Sequence, residues 1–222
     1  MNPPGRPKGE NQTNLRHQGP QPDADPASVA DRVRMREETL LSDHWYVLKT
    51  TRFDYLRRDG QWQTMSRESY DRGNGAAILL YDLRRRCVVL TRQFRYPAFV
   101  NGYDALLVEV PAGVLDTASA EDCIRAEAEQ EAGIRVREPR KVFEAFMSPG
   151  AVTERLHFFV AEYDSADRIG PGGGLHAEGE DIEVFELPFD EALAWVAEGR
   201  IIDAKTIMLL QHAALHLLPA AP

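Results

Sequence analysis

Between Trp45 and Tyr70 two runs rich in β-branched and aromatic residues, WYVLKTTRFDYL and QWQTMSRESY, flank Arg58-Asp59-Gly60, a pattern that predicts a hairpin. AAILLYDL and CVVLTRQFRY follow, mostly apolar and separated by a basic turn at Arg84 to Arg86, and predict a second hairpin with buried strands. ALLVEV is a further strand, ending at Pro111-Ala112-Gly113. There the period changes. Residues 119–132 (SAEDCIRAEAEQEA) predict a helix, opened by Ser119 with Asp122 three residues on, as in a capping box, and closed by Gly133. Strands RKVFEAF and RLHFFVAEY, the Gly-rich connection IGPGGGLHAEGE, a strand DIEVFEL and helices over roughly 188–198 and 204–217 complete the pattern. The connection from about 164 to 180 is long and acidic, as functional loops often are, although a disordered spacer would look the same. Strands mixed with helices, without an internal repeat, predict an α+β fold or a three-layer α/β/α domain.

Composition sets the boundaries. Residues 1–26 hold six of the fourteen prolines and only Met1 and Leu15 as large apolar groups, too little to offset chain entropy. We therefore expect a disordered tail over 1–35, a β-rich region over 36–72 and the main domain over 73–222. Residues 1–30 carry three basic and three acidic groups, so the net charge of −9 belongs to the rest. An acidic chain argues against non-specific nucleic-acid binding, and no apolar run approaches the ~20 residues needed to span a bilayer. Cys87 and Cys123 sit in apolar stretches, with no Cys/His zinc spacing and no secretory h-region, which predicts a cytoplasmic protein without disulfides.

On a helical wheel of residues 119–132, Ala120, Ile124, Glu127, Ala128 and Glu131 share one stripe, and Asp122, Arg125 and Glu129 lie opposite. Two carboxylates thus share the face expected to pack on the sheet. At ~6 Å and an effective dielectric of ~20 they repel by roughly 2 to 3 kcal/mol, and a cation between them reverses the sign. Oxygen ligands suit a hard ion such as Mg²⁺ or Mn²⁺. Spacing alone leaves open the plainer arrangement, in which both side chains sit at the rim of the stripe and reach water. His157 and His176 have no serine or cysteine at a persuasive position, so a nucleophilic triad has no support.

From Gly113 through Glu127 and Glu131 to Gly133-Ile134, the sequence resembles the Nudix box, G-x5-E-x7-R-E-U-x-E-E-x-G-U, where U is a bulky aliphatic. It is one residue shorter, and Ser119, Ala126, Ala128 and Gln130 replace the early Glu, the Arg, the U and the first Glu of the pair. Ser119 and Gln130 each remove a charge that could hold a further metal, and Ala126 removes a basic anchor for the box glutamates. The flanks YDRGNGA (70–76), RQFR (92–95), MSPG (147–150), VTE (152–154), HFF (157–159), EDIEV (180–184) and DAKT (203–206) are similar to the GDP-mannose pyrophosphatase branch of the nucleoside-diphosphate-sugar hydrolases, which also has the short box.

That resemblance implies a Nudix fold, an α/β/α sandwich with a mixed sheet, and an N-terminal β-hairpin region used in homodimerisation. It implies Mg²⁺, with Mn²⁺ as substitute, on the Ala112 carbonyl and the carboxylates of Glu127, Glu131 and Glu180. Glu180 is the expected residue for positioning or deprotonating water, with Glu178 in reserve because this loop looks two residues longer than the family's. Glu131, Glu178 and Glu180 are thus the candidate catalytic carboxylates. Substrate contacts map onto Trp45, Arg67, Glu68, Arg95, Ala112, Gly113, Glu154 and Lys205, with Trp45 at a position that reaches the nucleotide of the other subunit. For Arg95 chemistry agrees, since a guanidinium beside a diphosphate makes bidentate charged hydrogen bonds. For Trp45 core packing is an equally good account, and for Lys205 plain solvation is. The implied substrate is a nucleoside diphosphate sugar, GDP-mannose first and ADP-ribose or an ADP-sugar second. The degenerate box also fits a nucleotide-sugar sensor that does not turn over.

Overall fold

The structure, a computed structural model, describes residues 28–115 and 119–219, apart from the side chain of Glu178. The expected tail therefore lies largely outside the described residues. Its last three positions do not belong to a tail, because a strand begins at Val33. The chain forms two compact units, the first ending at Tyr70 and the second beginning at Asp71.

The first unit is an antiparallel three-stranded sheet in the order β1 (Val33–Asp43), β2 (Val47–Leu56), β3 (Trp62–Asp71). β2 and β3 are the predicted hairpin, closed by Arg57 N–H to the Gln61 carbonyl at 2.9 Å. β1 carries no alternating apolar face in the sequence and is exposed from Arg34 onward. Asp54 ties the sheet together across its strands, accepting from Arg36 Nε and from the Thr64 hydroxyl, each at 2.7 Å.

In the second unit a mixed sheet runs in the order β10 (Glu183–Pro188), β5 (Cys87–Gln93), β4 (Gly75–Asp82), β9 (Arg155–Glu162), β8 (Arg140–Phe146). Short strands β6 (Leu107–Glu109) and β7 (Ala112–Val114) pair with β5 and β4. Among the described residues of this sheet only β4 and β9 pair in parallel. β4 is buried on both faces, which is why it reads as a continuous apolar run. Ala76, Ile78 and Leu80 pack with Ile124, Ala128 and Ala132 of α2 (Ala120–Ala132). Ala77, Leu79 and Tyr81 pack with Trp195 of α3 (Phe189–Ala197) and Leu209, Leu210 and Ala213 of α4 (Ala204–His216), giving the expected three layers. Each fully buried Leu or Ile contributes about 1.5–3 kcal/mol through apolar burial.

α2 begins and ends where its capping residues place it. The Ser119 hydroxyl accepts from Asp122 N–H at 3.1 Å and donates to the Asp122 carboxylate at 2.7 Å. Gly133 adopts φ 66°, the left-handed cap, and Ile134 N–H returns to the Ala128 carbonyl at 3.1 Å. The strand expected to run to Tyr96 stops at Gln93, and a short helix, here α1 (Tyr96–Val100), takes its place with Pro97 in its first turn.

Candidate functional site

β6, the Pro111 turn and β7 form a spine from which the site is built. Val110 N–H donates to Thr206 Oγ1 at 2.9 Å, docking the start of α4 on this spine. Thr206 N–H in turn donates to the Asp203 carboxylate at 3.0 Å, so the Asp-Ala-Lys-Thr segment is a capped helix start. Two residues after Val110, Ala112 N–H donates to Glu131 Oε2 at 3.0 Å, docking α2 on the same spine. Gly113 lies under Glu127: a Cβ at Gly113 would sit 1.8 Å from Glu127 Oε1, so only glycine allows this approach.

Glu131 is 2% exposed, and burial pushes its carboxyl up to about 8. The Ala112 N–H and Arg95 oppose that rise, while Glu127 and Glu180 add to it by repulsion. The third carboxylate arrives on the Gly-rich connection. Gly173 N–H donates to the Glu131 carbonyl at 2.9 Å and Gly174 N–H to the Gln130 carbonyl at 3.1 Å, capping the C-terminal end of α2. Gly172 (φ 71°) packs so closely there that a Cβ would meet the Glu131 carbonyl oxygen at 2.3 Å. From this anchored loop Glu180 folds back, its Oε2 accepting from Leu175 N–H at 2.8 Å. Glu178 ends a short 3-10 turn, and its side chain lies outside those described.

An ion cluster centred on the buried Glu109 is held by the same spine. Arg95, immediately before α1, donates from Nε to Glu109 Oε2 at 2.7 Å, and Lys205 Nζ contacts Glu109 Oε1 and lies 3.0 Å from Asp203. Burial alone would raise Glu109; Lys205 and Arg95 hold it below the usual carboxylate range. Glu109 was not among the residues singled out from sequence. Its only signal there was an acid inside the apolar run ALLVEV.

The remaining expected contacts are divided between the two units. Glu154 is buried next to β9, paired with Arg72 at 3.4 Å and 3.8 Å from the Cβ position of Gly75. Trp45, Arg67 and Glu68 belong to the first unit. Trp45 is 65% exposed with an edge-on contact to Tyr46, so core packing does not account for it in the single chain. Arg67 donates to the Ser66 carbonyl at 2.8 Å, and Glu68 is exposed. His157 Nδ1 lies 3.2 Å from Glu144, and burial lowers the imidazole's pKa.

Carboxylate oxygens on α2 and a loop carboxylate whose charge is felt at Glu131 fit a hard divalent cation by donor type. As placed, no three Asp, Glu, His or Cys side chains among the described residues come together closely enough to hold a metal ion. The residues at which the box departs from its pattern have other local roles: Ser119 caps α2, and Ala126 and Gln130 face solvent.

A three-layer sandwich with an acidic helix beside a guanidinium and an ammonium group suits a hydrolase of phosphoanhydrides. Residues 71–210 match the model of the NUDIX domain and residues 32–70 that of the GDP-mannose pyrophosphatase NudK N-terminal domain. The chain is 56% identical over 186 residues to the GDP-mannose pyrophosphatase of Pectobacterium atrosepticum, covering 83% of this chain and 95% of that protein. It is 50% identical to that of Cronobacter sakazakii (82% and 95%) and 49% to that of Klebsiella pneumoniae (81% and 90%). The chain belongs to the Nudix family and is a pyrophosphohydrolase. Nudix hydrolases generally use divalent metal ions. Among the described residues no helix is long and apolar enough to cross a membrane.

Proposed function

We propose that this protein hydrolyses the phosphoanhydride of nucleoside diphosphate sugars with Mg²⁺, taking GDP-mannose and releasing GMP and mannose 1-phosphate. The observation that carries this is the junction at residues 109–113, where one short spine holds the acidic cluster through Ala112 and Gly113 and the Arg95–Glu109–Lys205 cluster through Glu109. The names of the relatives support the choice of sugar nucleotide.

Glu127, Glu131, Glu180 and the Ala112 carbonyl would hold the metal, which supplies charge neutralisation at the diphosphate and a lowered water pKa. The chain's own groups do the rest. Arg95 binds the diphosphate through its terminal nitrogens, and Lys205 adds charge behind it. Glu180 orients a water and accepts its proton as the water oxygen bonds to phosphorus and the bridging P–O bond breaks. Glu178 stands by for the same role. Glu154 contacts the nucleotide sugar. The exposed β1 and Trp45 favour a homodimer built on the first unit, and light scattering that finds only monomer would remove that part. We place the enzyme in the cytoplasm, the compartment that suits the buried cysteines Cys87 and Cys123 in their apolar stretches.

The test is a product-resolved assay with GDP-mannose, ADP-ribose and ADP-sugars in Mg²⁺ and Mn²⁺. GMP and mannose 1-phosphate are expected. Glu127→Gln and Glu131→Gln should each lower kcat by at least about 10²-fold, and full activity in either variant rejects the metal assignment.

A further inference from the structure

Glu109 is 3% exposed, yet it is charged on both sides of its carboxylate. One oxygen accepts from Arg95 Nε at 2.7 Å and the other receives Lys205 Nζ. Arg95 and Lys205 are separated by 110 residues of chain, and Glu109 is the group that touches both. Their surroundings differ: the Arg95 side chain is 40% exposed and the Lys205 side chain 12%. The hydrogen bond from Arg95 to Glu109 uses Nε, so the end-on pair of terminal nitrogens is not what Glu109 engages. Those nitrogens form the fork that matches two oxygens of a phosphate. Glu109 lies three residues before Ala112, whose N–H Glu131 accepts, so one short spine holds both Arg95 and Glu131.

We propose that Glu109 is a positioning residue that fixes Arg95 and Lys205 as one two-cation clamp for a diphosphate. The place of this clamp in catalysis rests on the nucleotide-sugar reading above; its existence does not. A long arginine side chain that must be immobilised at each binding event loses affinity, and a carboxylate that holds it beforehand removes that cost. A structural ion pair would instead be expected to affect stability and leave diphosphate affinity alone.

The experiment is calorimetric titration of the full chain with inorganic pyrophosphate at fixed Mg²⁺, alongside steady-state kinetics on GDP-mannose. Glu109→Gln should weaken pyrophosphate about tenfold and raise KM about tenfold, with kcat changed by no more than about threefold. Arg95→Lys should do the same. The double variant should be no more than about twofold worse than the worse single one, because both changes act through one group. Unchanged pyrophosphate affinity in a folded Glu109→Gln protein, losses that multiply independently, or wild-type protein that binds no pyrophosphate would overturn the proposal. If Glu109→Gln does not fold, Arg95→Lys is combined with Lys205→Met. Coupled losses then support Glu109 as the shared holder, and multiplicative losses refute it. Wild-type protein that binds pyrophosphate but hydrolyses no nucleotide sugar would sink the substrate reading and leave the clamp intact.

Discussion

Two carboxylates of this protein, Glu186 and Glu131, have opposite surroundings, one matched by cations and the other set against carboxylates, and their chemistry follows. Glu186 is the matched case. Arg85 reaches it with both terminal nitrogens at 2.7 and 3.1 Å, the Tyr163 hydroxyl donates at 2.8 Å, and Arg168 adds a further contact. Burial would raise its pKa, but these donors hold it down to about 2. A carboxyl depressed in the folded state stabilises the protein above its unfolded value, and that stability is lost as pH falls from about 4.5 towards 2. Glu186→Gln should therefore cost on the order of 2 kcal/mol near neutral pH and flatten this acid limb. Urea denaturation across pH 2–7 checks it, and a parallel shift of the whole curve would contradict the assignment. Glu131 is the opposed case, raised by burial and by its acidic neighbours. The repulsion between Glu127 and Glu131 was legible in the sequence because both lie on one helix, four residues apart. The role of Glu109 was not, since its partners lie 14 and 96 residues away and only the fold brings them together.

At the scale of elements, local signals were readable and short or docked segments were not. α2 follows its sequence closely because its caps and its apolar stripe are encoded within fifteen consecutive residues. β7 and α1 are three and five residues long, too short for a period to show. The Gly-rich connection was recognisable as a loop, but its docking on the end of α2 is a tertiary fact. The glycines explain why it can dock. At Gly133 a Cβ would lie 2.2 Å from the Gly170 carbonyl oxygen and 2.7 Å from Gly172 N, on top of a φ of 66°. Gly133→Ala should thus cost about 1 kcal/mol for the backbone alone, with the overlap added to it. It should also detach residues 169–174 from the helix end and loosen Glu180. We expect a lower Tm, faster proteolysis near residues 170–180 and a kcat reduced by about tenfold, with KM much less affected. An unchanged kcat would mean that the loop need not be docked for turnover.

For the whole molecule, the net charge of −9 is unevenly distributed. Residues 104–131 and 178–191 each carry a net −7, which leaves +5 for the remainder. Folding brings cations to much of that charge: Glu109 meets Arg95 and Lys205, Glu121 meets Arg125, Glu183 meets Arg92, and Asp190 meets Arg86. Glu131 and Glu180 instead accept main-chain N–H groups. Within those two acidic segments Glu131 and Glu180 are among the carboxylates that the proposed cation would meet. A site of this kind should respond to a divalent ion far more than to ionic strength. Binding to the folded state alone stabilises by about 2.7 kcal/mol when the free ion is at 100 times its Kd, and for a chain this size that raises Tm by several degrees. Mg²⁺ should produce that rise where NaCl of equal ionic strength does not, because general screening acts on all exposed charges alike. In Glu127→Gln and Glu131→Gln the two salts should become equivalent. If Mg²⁺ and NaCl shift the wild-type Tm equally, the acidic segments are a solvated surface and the cation site is lost from the account.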